Sequence, residues 1–359
     1  MARERDTFQL SGPCYLTHVD WSDPGHRRCI AASLVQGVYV QEQERQDRRP
    51  KHETHAEMWW SFFSFKLLHP LLDRSDGSIF GAVYKWSKKA AGVRFQPPGV
   101  PKIVVALRGT VAKAESVVRD LRLDFNIFTN ELHRSCRFHC TLDAVKASVH
   151  KHGSESVWIA GHSLGAAMGM LAGRKMAEEE QQFLQTHLFN PPFILPPVER
   201  IKNEKIKSGF HIARSLVTAG LSMTLLDSRA RAESQKTFSA LRLWVPCLYV
   251  NRQDYVSSGY VGYFANQQVM HEMGAGGIAE LAARHSISEM LLSAFGKKSK
   301  AGHLIPCARL IINLSASADF KTAHGIHQWW AADIKIQCTE YRLVPAEHPK
   351  TAFHLQAHI

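Results

Sequence analysis

The chain has 359 residues, of which 45% are hydrophobic and 21% charged, the make-up of an ordinary globular protein with room for one large core. Its longest apolar run, LVTAGLSMTLL at 216–226, has 11 residues, against about 20 for a membrane-spanning helix. A formal charge of +12 suggests an acidic partner, but the basic residues are spread along the chain and mixed with acids, as in QEQERQDRRPKHETH. No nucleic-acid-binding motif accompanies them, so nucleic acid is not an expected partner, whereas weak attraction to anionic lipid head groups is compatible with the charge.

In chain order, the start MARERDTFQL is charged and lacks the apolar core of a signal peptide. The seven cysteines form an odd-numbered, scattered set without a CxxC pair. Together these point to reduced thiols and a cytoplasmic location. CIAASLVQGVYV reads as an apolar helix followed by a polar loop, and WWSFFSFKLLHPLLD at 59–73 reads as a helix packed on a sheet. The first 77 residues are therefore expected to be a helical extension on a core formed by 78–359. SIFGAVYKW (78–86) and KIVVALRG (102–109) read as strands on either side of the turn signal QPPGVP. SVVRDLRLDFNIF and LDAVKASVHKHG read as helices. Between them His133, Cys136, His139 and Cys140 lie within eight residues, but structural zinc sites use separated ligand pairs, and no metal is expected.

The run VWIAGHSLGAA (157–167) follows. VWIA has the length and apolarity of a buried parallel strand, and LGAAMGMLAGRKMAEEE continues as a helix. Between them Ser163 stands with Gly161 and Gly165 on either side, the arrangement of a nucleophile elbow. There a serine sits on a strained strand-to-helix turn that side chains two residues away would obstruct. THLFNPP is then a short strand halted by prolines. Residues 196–243 read as a helical insert, in the place where hydrolases carry a cap or lid. VPCLYVN and LIPCARLIINL are further strands, and DFKTAHGIHQWWAADIKI reads as a loop entering a helix. Strands alternating with helices imply an α/β fold with a mainly parallel central sheet flanked by helices.

A serine hydroxyl needs a histidine to take its proton and an acid to orient that histidine. Asp254 lies just past the apolar strand VPCLYVN, where such an acid belongs. Eight histidines follow it, and position favours the loop after the last strand, which offers His324 or His327. One oxyanion donor is expected from the backbone of Leu164, directly after the serine, and another from the Arg108-Gly109-Thr110 turn that ends a strand, where the Thr110 hydroxyl can add a hydrogen bond.

VVALRGT, IAGHSLGAA and LYVNRQDYVS together resemble the class 3 lipases, a branch of the α/β-hydrolase fold. The resemblance covers roughly residues 78–335. It implies a serine hydrolase cleaving carboxylic esters, with acyl lipids as substrates and no metal or organic cofactor. Ser163, Asp254 and His324 would form its triad, with Leu164 and Thr110 as oxyanion donors. The family's histidine is commonly followed five positions later by an aromatic residue; His324 with Trp329 has that spacing and His327 does not. HRRCIAASLVQG is similar to plant cytosolic members. Some plant relatives carry a GDSL esterase/lipase label, although no Gly-Asp-Ser-Leu block occurs in this sequence. The competing reading is a non-catalytic protein of the same fold that binds a lipid or another ligand.

Overall fold

A computed structural model describes residues 4–110, 132, 134–193, 239–270 and 305–342. The expected helix SVVRDLRLDFNIF, His133 and almost all of the expected insert 196–243 lie outside them.

Eight strands form one sheet in sequential order: β1 (Phe65–Leu72), β2 (Ile79–Trp86), β3 (Ile103–Leu107), β4 (Val157–His162), β5 (Gln185–Phe189), β6 (Cys247–Asn251), β7 (Ala308–Asn313) and β8 (Ile336–Tyr341). β3 to β7 are parallel, and the two edges are closed by antiparallel β1–β2 and β8. β3, β4 and β6 are buried along their whole length, as strands covered on both faces must be. This is the α/β-hydrolase architecture.

The covering layers differ. On one face lies α2 (Pro24–Gln46), a 23-residue helix capped at its start by the Asp23 carboxylate, which accepts from the Gly25 and His26 N–H groups. It packs Ile30, Leu34 and Val38 with Tyr84, Val104, Trp158 and Phe189 in one apolar cluster. On the other face lie α4 (Cys136–His152) and α5 (Leu164–Glu180), whose Phe138, Val145, Met168 and Met176 meet Val105, Leu107 and Ile159. Short helices α1 (Phe8–Ser11) and α3 (Met58–Ser61) flank α2 in sequence. α6 (Gly259–Met270) follows β6, and α7 (Phe320–His324) follows β7.

Two expectations about local structure are corrected, and one further strand appears. Residues 59–73 are not one helix: α3 lasts a single turn and Phe65–Leu72 becomes the edge strand β1, with Phe65 opposite Trp86 and Leu72 opposite Ile79. Pro70 explains why, since proline breaks a helix interior but is tolerated on a sheet edge, where its missing N–H is not needed. The sheet thus begins at Phe65, ahead of the boundary expected at residue 78. QEQERQ is not loop but the last turns of α2. IQCTEY is a strand, β8, whose mostly exposed, polar residues give no apolar alternation to read.

Candidate active site

The elbow is a product of local chemistry. Ser163 has φ 54° and ψ −122°, left-handed backbone that a non-glycine residue adopts only under strain. Its N–H donates to the Phe189 carbonyl at 3.0 Å, which ties the turn to the end of β5. The glycines on either side are required by close approach. A Cβ on Gly161 would fall on the backbone of Gly165, and one on Gly165 would fall on the carbonyl groups of Leu107 and Arg108 at the end of β3. Gly169, one turn on, lies close to Ile159 and Leu188, so α5 sits directly on the sheet.

Three expected residues meet at this turn from distant parts of the chain. His324, the last residue of α7, places Nε2 3.0 Å from Ser163 Oγ and Nδ1 3.0 Å from Asp254 Oδ2. Its side chain keeps 15% exposure, whereas Asp254 is wholly buried. His327 lies three residues further on, packs edge-on to Trp330, and leaves Nδ1 buried without a partner among the described residues. Burial holds its pKa down to about 4.

Asp254 is held by more than the histidine. Its Oδ2 accepts from Asn190 Nδ2 at 2.7 Å and from Ser257 Oγ at 2.6 Å, and its Oδ1 from the Val256 N–H at 3.0 Å. Burial works to raise its pKa, but the charge of His324 and the hydrogen bonds from His324, Ser257 and Asn190 outweigh it. The carboxyl stays below its ordinary range and remains ionised. With Nδ1 against the carboxylate, His324 turns Nε2 toward the serine hydroxyl.

Asn190, Ser257 and Gln328 have no counterpart in the sequence reading. Asn190 follows β5 at φ 48°, a conformation asparagine tolerates. Besides Asp254 it donates to the Ala323 carbonyl and accepts from Trp329 Nε1 at 2.7 Å, so one amide joins the acid to the histidine segment. Gln328 donates to the carbonyls of Ala323 and Gly325 and accepts from Asn251 and Asn313 at 2.8 Å. The FNPP stretch was the available signal for Asn190: a left-handed asparagine where a strand stops. Gln328 had none.

Thr110 is exposed and follows Gly109, whose Cα abuts the serine: a Cβ there would stand 2.8 Å from Ser163 Cβ. The buried Arg108 donates to Ile79 O and to Gly109 O, each at 2.6 Å. Because the peptide is planar and trans, fixing the Gly109 carbonyl also fixes the Thr110 N–H, which points the opposite way. Leu164, buried at the first position of α5, has an N–H with no intrahelical partner, at the positive end of the helix. Among the described residues no group of three or more His, Cys, Asp or Glu side chains is arranged to hold a metal ion, and Cys136 and Cys140 lie with their sulfurs 4.0 Å apart on α4.

Residues 104–192, from β3 through the elbow to the end of β5, match the family model described as lipase (class 3). The chain is also similar to an Arabidopsis thaliana protein named as a GDSL esterase/lipase, 41% identical over 356 residues that cover 95% of this chain and 99% of the relative. The chain belongs to the class 3 lipase family. It is thereby a carboxylic ester hydrolase with the α/β-hydrolase fold its sheet displays. No solved structure is a significant match. Among the described residues no helix is long and apolar enough to cross a membrane.

Proposed function

We propose that this class 3 lipase hydrolyses acyl-lipid esters through an acyl-enzyme formed on Ser163. The observation that carries the reading is the pair of 3.0 Å contacts that His324 makes, one with Ser163 Oγ and one with Asp254 Oδ2. His324 Nε2 takes the hydroxyl proton as Ser163 Oγ attacks the ester carbonyl, and Asp254 stabilises the imidazolium that results. The tetrahedral oxyanion is received by the N–H groups of Leu164 and Thr110. Collapse expels the alcohol, protonated by His324, and leaves the acyl group on Ser163; water then attacks by the same route in reverse. Every step uses side chains and backbone of this chain alone. The acyl-lipid substrate class draws support from the family and from the name of the relative. Seven free thiols agree with a reducing, cytoplasmic setting.

Turnover of p-nitrophenyl esters of short and long acyl chains by wild type and Ser163→Ala tests the reading. A loss of about 10⁴-fold or more in kcat/KM with an unchanged melting temperature is expected. Equal turnover by the two proteins would end the assignment of the acyl-enzyme to Ser163.

A further inference from the structure

We propose that Tyr39 of α2 and His162 of the elbow are positioning residues, joining the oxyanion loop to the backbone that carries His324 through one continuous chain of hydrogen bonds. The proposal rests on the triad reading above and extends it to a helix outside the segment 104–192 that matches the family model.

Three bonds make up the chain. The Gly109 N–H lies 2.7 Å from Tyr39 Oη, Tyr39 Oη lies 2.8 Å from His162 Nδ1, and His162 Nε2 lies 2.7 Å from the His324 carbonyl oxygen. Donor accounting sets the two outer protons, and a neutral His162 ring sets the middle one. An amide N–H only donates, so Tyr39 Oη accepts from Gly109 and has one hydrogen left, which it gives to His162 Nδ1. A carbonyl only accepts, so Nε2 must carry the ring proton. The neutral His162 tautomer protonated on Nε2 satisfies all three contacts, whereas the other arrangement, a doubly protonated ring donating from Nδ1 to Tyr39 Oη, would bury a positive charge. Burial keeps both members in the required state. It pushes the Tyr39 phenol up to about 12, and, with the nearby charge of His324, holds His162 down to about 3.

Its mechanical consequence follows from what each end touches. At one end Gly109 is gripped twice, by Tyr39 at its N–H and by Arg108 at its carbonyl, so the peptide bearing the Thr110 N–H has no free rotation. At the other end the His324 backbone is held by His162 while its ring spans Ser163 and Asp254. Donor and base are thereby fixed relative to each other across the serine. Glu42, one turn beyond Tyr39 on α2, lies 3.9 Å from Arg108, so the same helix supports both grips. A triad needs its groups held within fractions of an ångström, and small displacements cost one to two orders of magnitude in rate.

Tyr39→Phe keeps the ring and removes the oxygen. Tyr84→Phe is the matched control, because Tyr84 Oη is also buried, accepts from Gln41 at 3.0 Å, and packs in the core rather than at the site. Ester hydrolysis, the rate of Ser163 labelling by a fluorophosphonate, and melting temperature are measured for both. The expected result is a 10- to 100-fold fall in kcat and in labelling rate for Tyr39→Phe, KM within about threefold, and less than a twofold change in either rate for Tyr84→Phe. At the other joint, His162→Gln keeps one donor and one acceptor and is expected to retain several-fold more activity than His162→Leu at similar stability. Equal rates for Tyr39→Phe and wild type, or for the two His162 variants, overturn the proposal and leave the triad standing. Absence of labelling in wild type removes the triad reading and this proposal with it.

Discussion

The elbow and the histidine segment reach the same serine by opposite means. Around Ser163 the geometry is written into consecutive residues: strand β4, a positive-φ serine, two glycines with no room for a Cβ, and the first turn of α5. Around His324 nothing local compels the position. α7 has five residues and is succeeded by the short 3-10 turn Ile326–Trp330, and the two are secured from elsewhere. Arg28 of α2 donates to the Trp329 carbonyl, Tyr15 to that of Trp330, Asn190 to that of Ala323, and Gln328 braces the turn against β6 and β7. A nucleophile can be set by sterics within a dozen residues, whereas a base that must meet two partners is set by the whole fold.

This contrast predicts different failures. Gly165→Ala drives a Cβ into the β3 backbone, which cannot yield without moving α5 off the sheet. A stability loss of about 3 kcal/mol is expected, with activity and melting temperature lost together, and chemical denaturation measures it. A variant as stable as wild type would show that the elbow is not sterically locked.

Gln328→Ala should separate the two properties. It removes the acceptor that the Asn251 and Asn313 amides share and leaves those two donors to find others, at an expected cost of about 1–3 kcal/mol. Because α7 then loosens, kcat is expected to fall about tenfold even where the protein remains folded, with Ser163 still open to slow labelling. Lowered stability with full kcat would place the control of His324 elsewhere.

A pH dependence of stability is also expected. His162 and His187 are held down to about 3 and His327 to about 4, chiefly by burial. A folded pKa below the unfolded value of about 6.5 means that the unfolded chain binds protons first as pH falls. The stability these rings contribute is therefore complete above about 6.5 and is lost progressively below it. Melting temperature should decline steadily from pH 7 to 4.5, and His327→Phe, which removes the ring on the histidine segment, should make that decline shallower. A flat profile would mean that the three rings are not buried neutral.

The same contrast governs what could be read in advance. Apolar runs and turn chemistry mark β2 to β7, and Gly-x-Ser-x-Gly marks the elbow, because those features are local. Asp254 follows from its place after β6. The choice of His324 over His327 came from the resemblance to a family spacing, since composition and position leave both open. β1 and β8 escape because edge strands need only half an apolar pattern. Asn190, Gln328 and Tyr39 escape because their meaning lies in partners 64 to 139 positions away for Asn190, up to 77 for Gln328 and up to 123 for Tyr39.

The central claim is that Ser163 carries the acyl group. Acid-quenching the enzyme during turnover of p-nitrophenyl acetate, followed by peptide mass mapping, tests it most directly. An acetyl group on the peptide holding Ser163, absent from Ser163→Ala and diminished by His324→Gln, is the predicted result. Continued turnover with acetyl found on another residue, or on none, would contradict it.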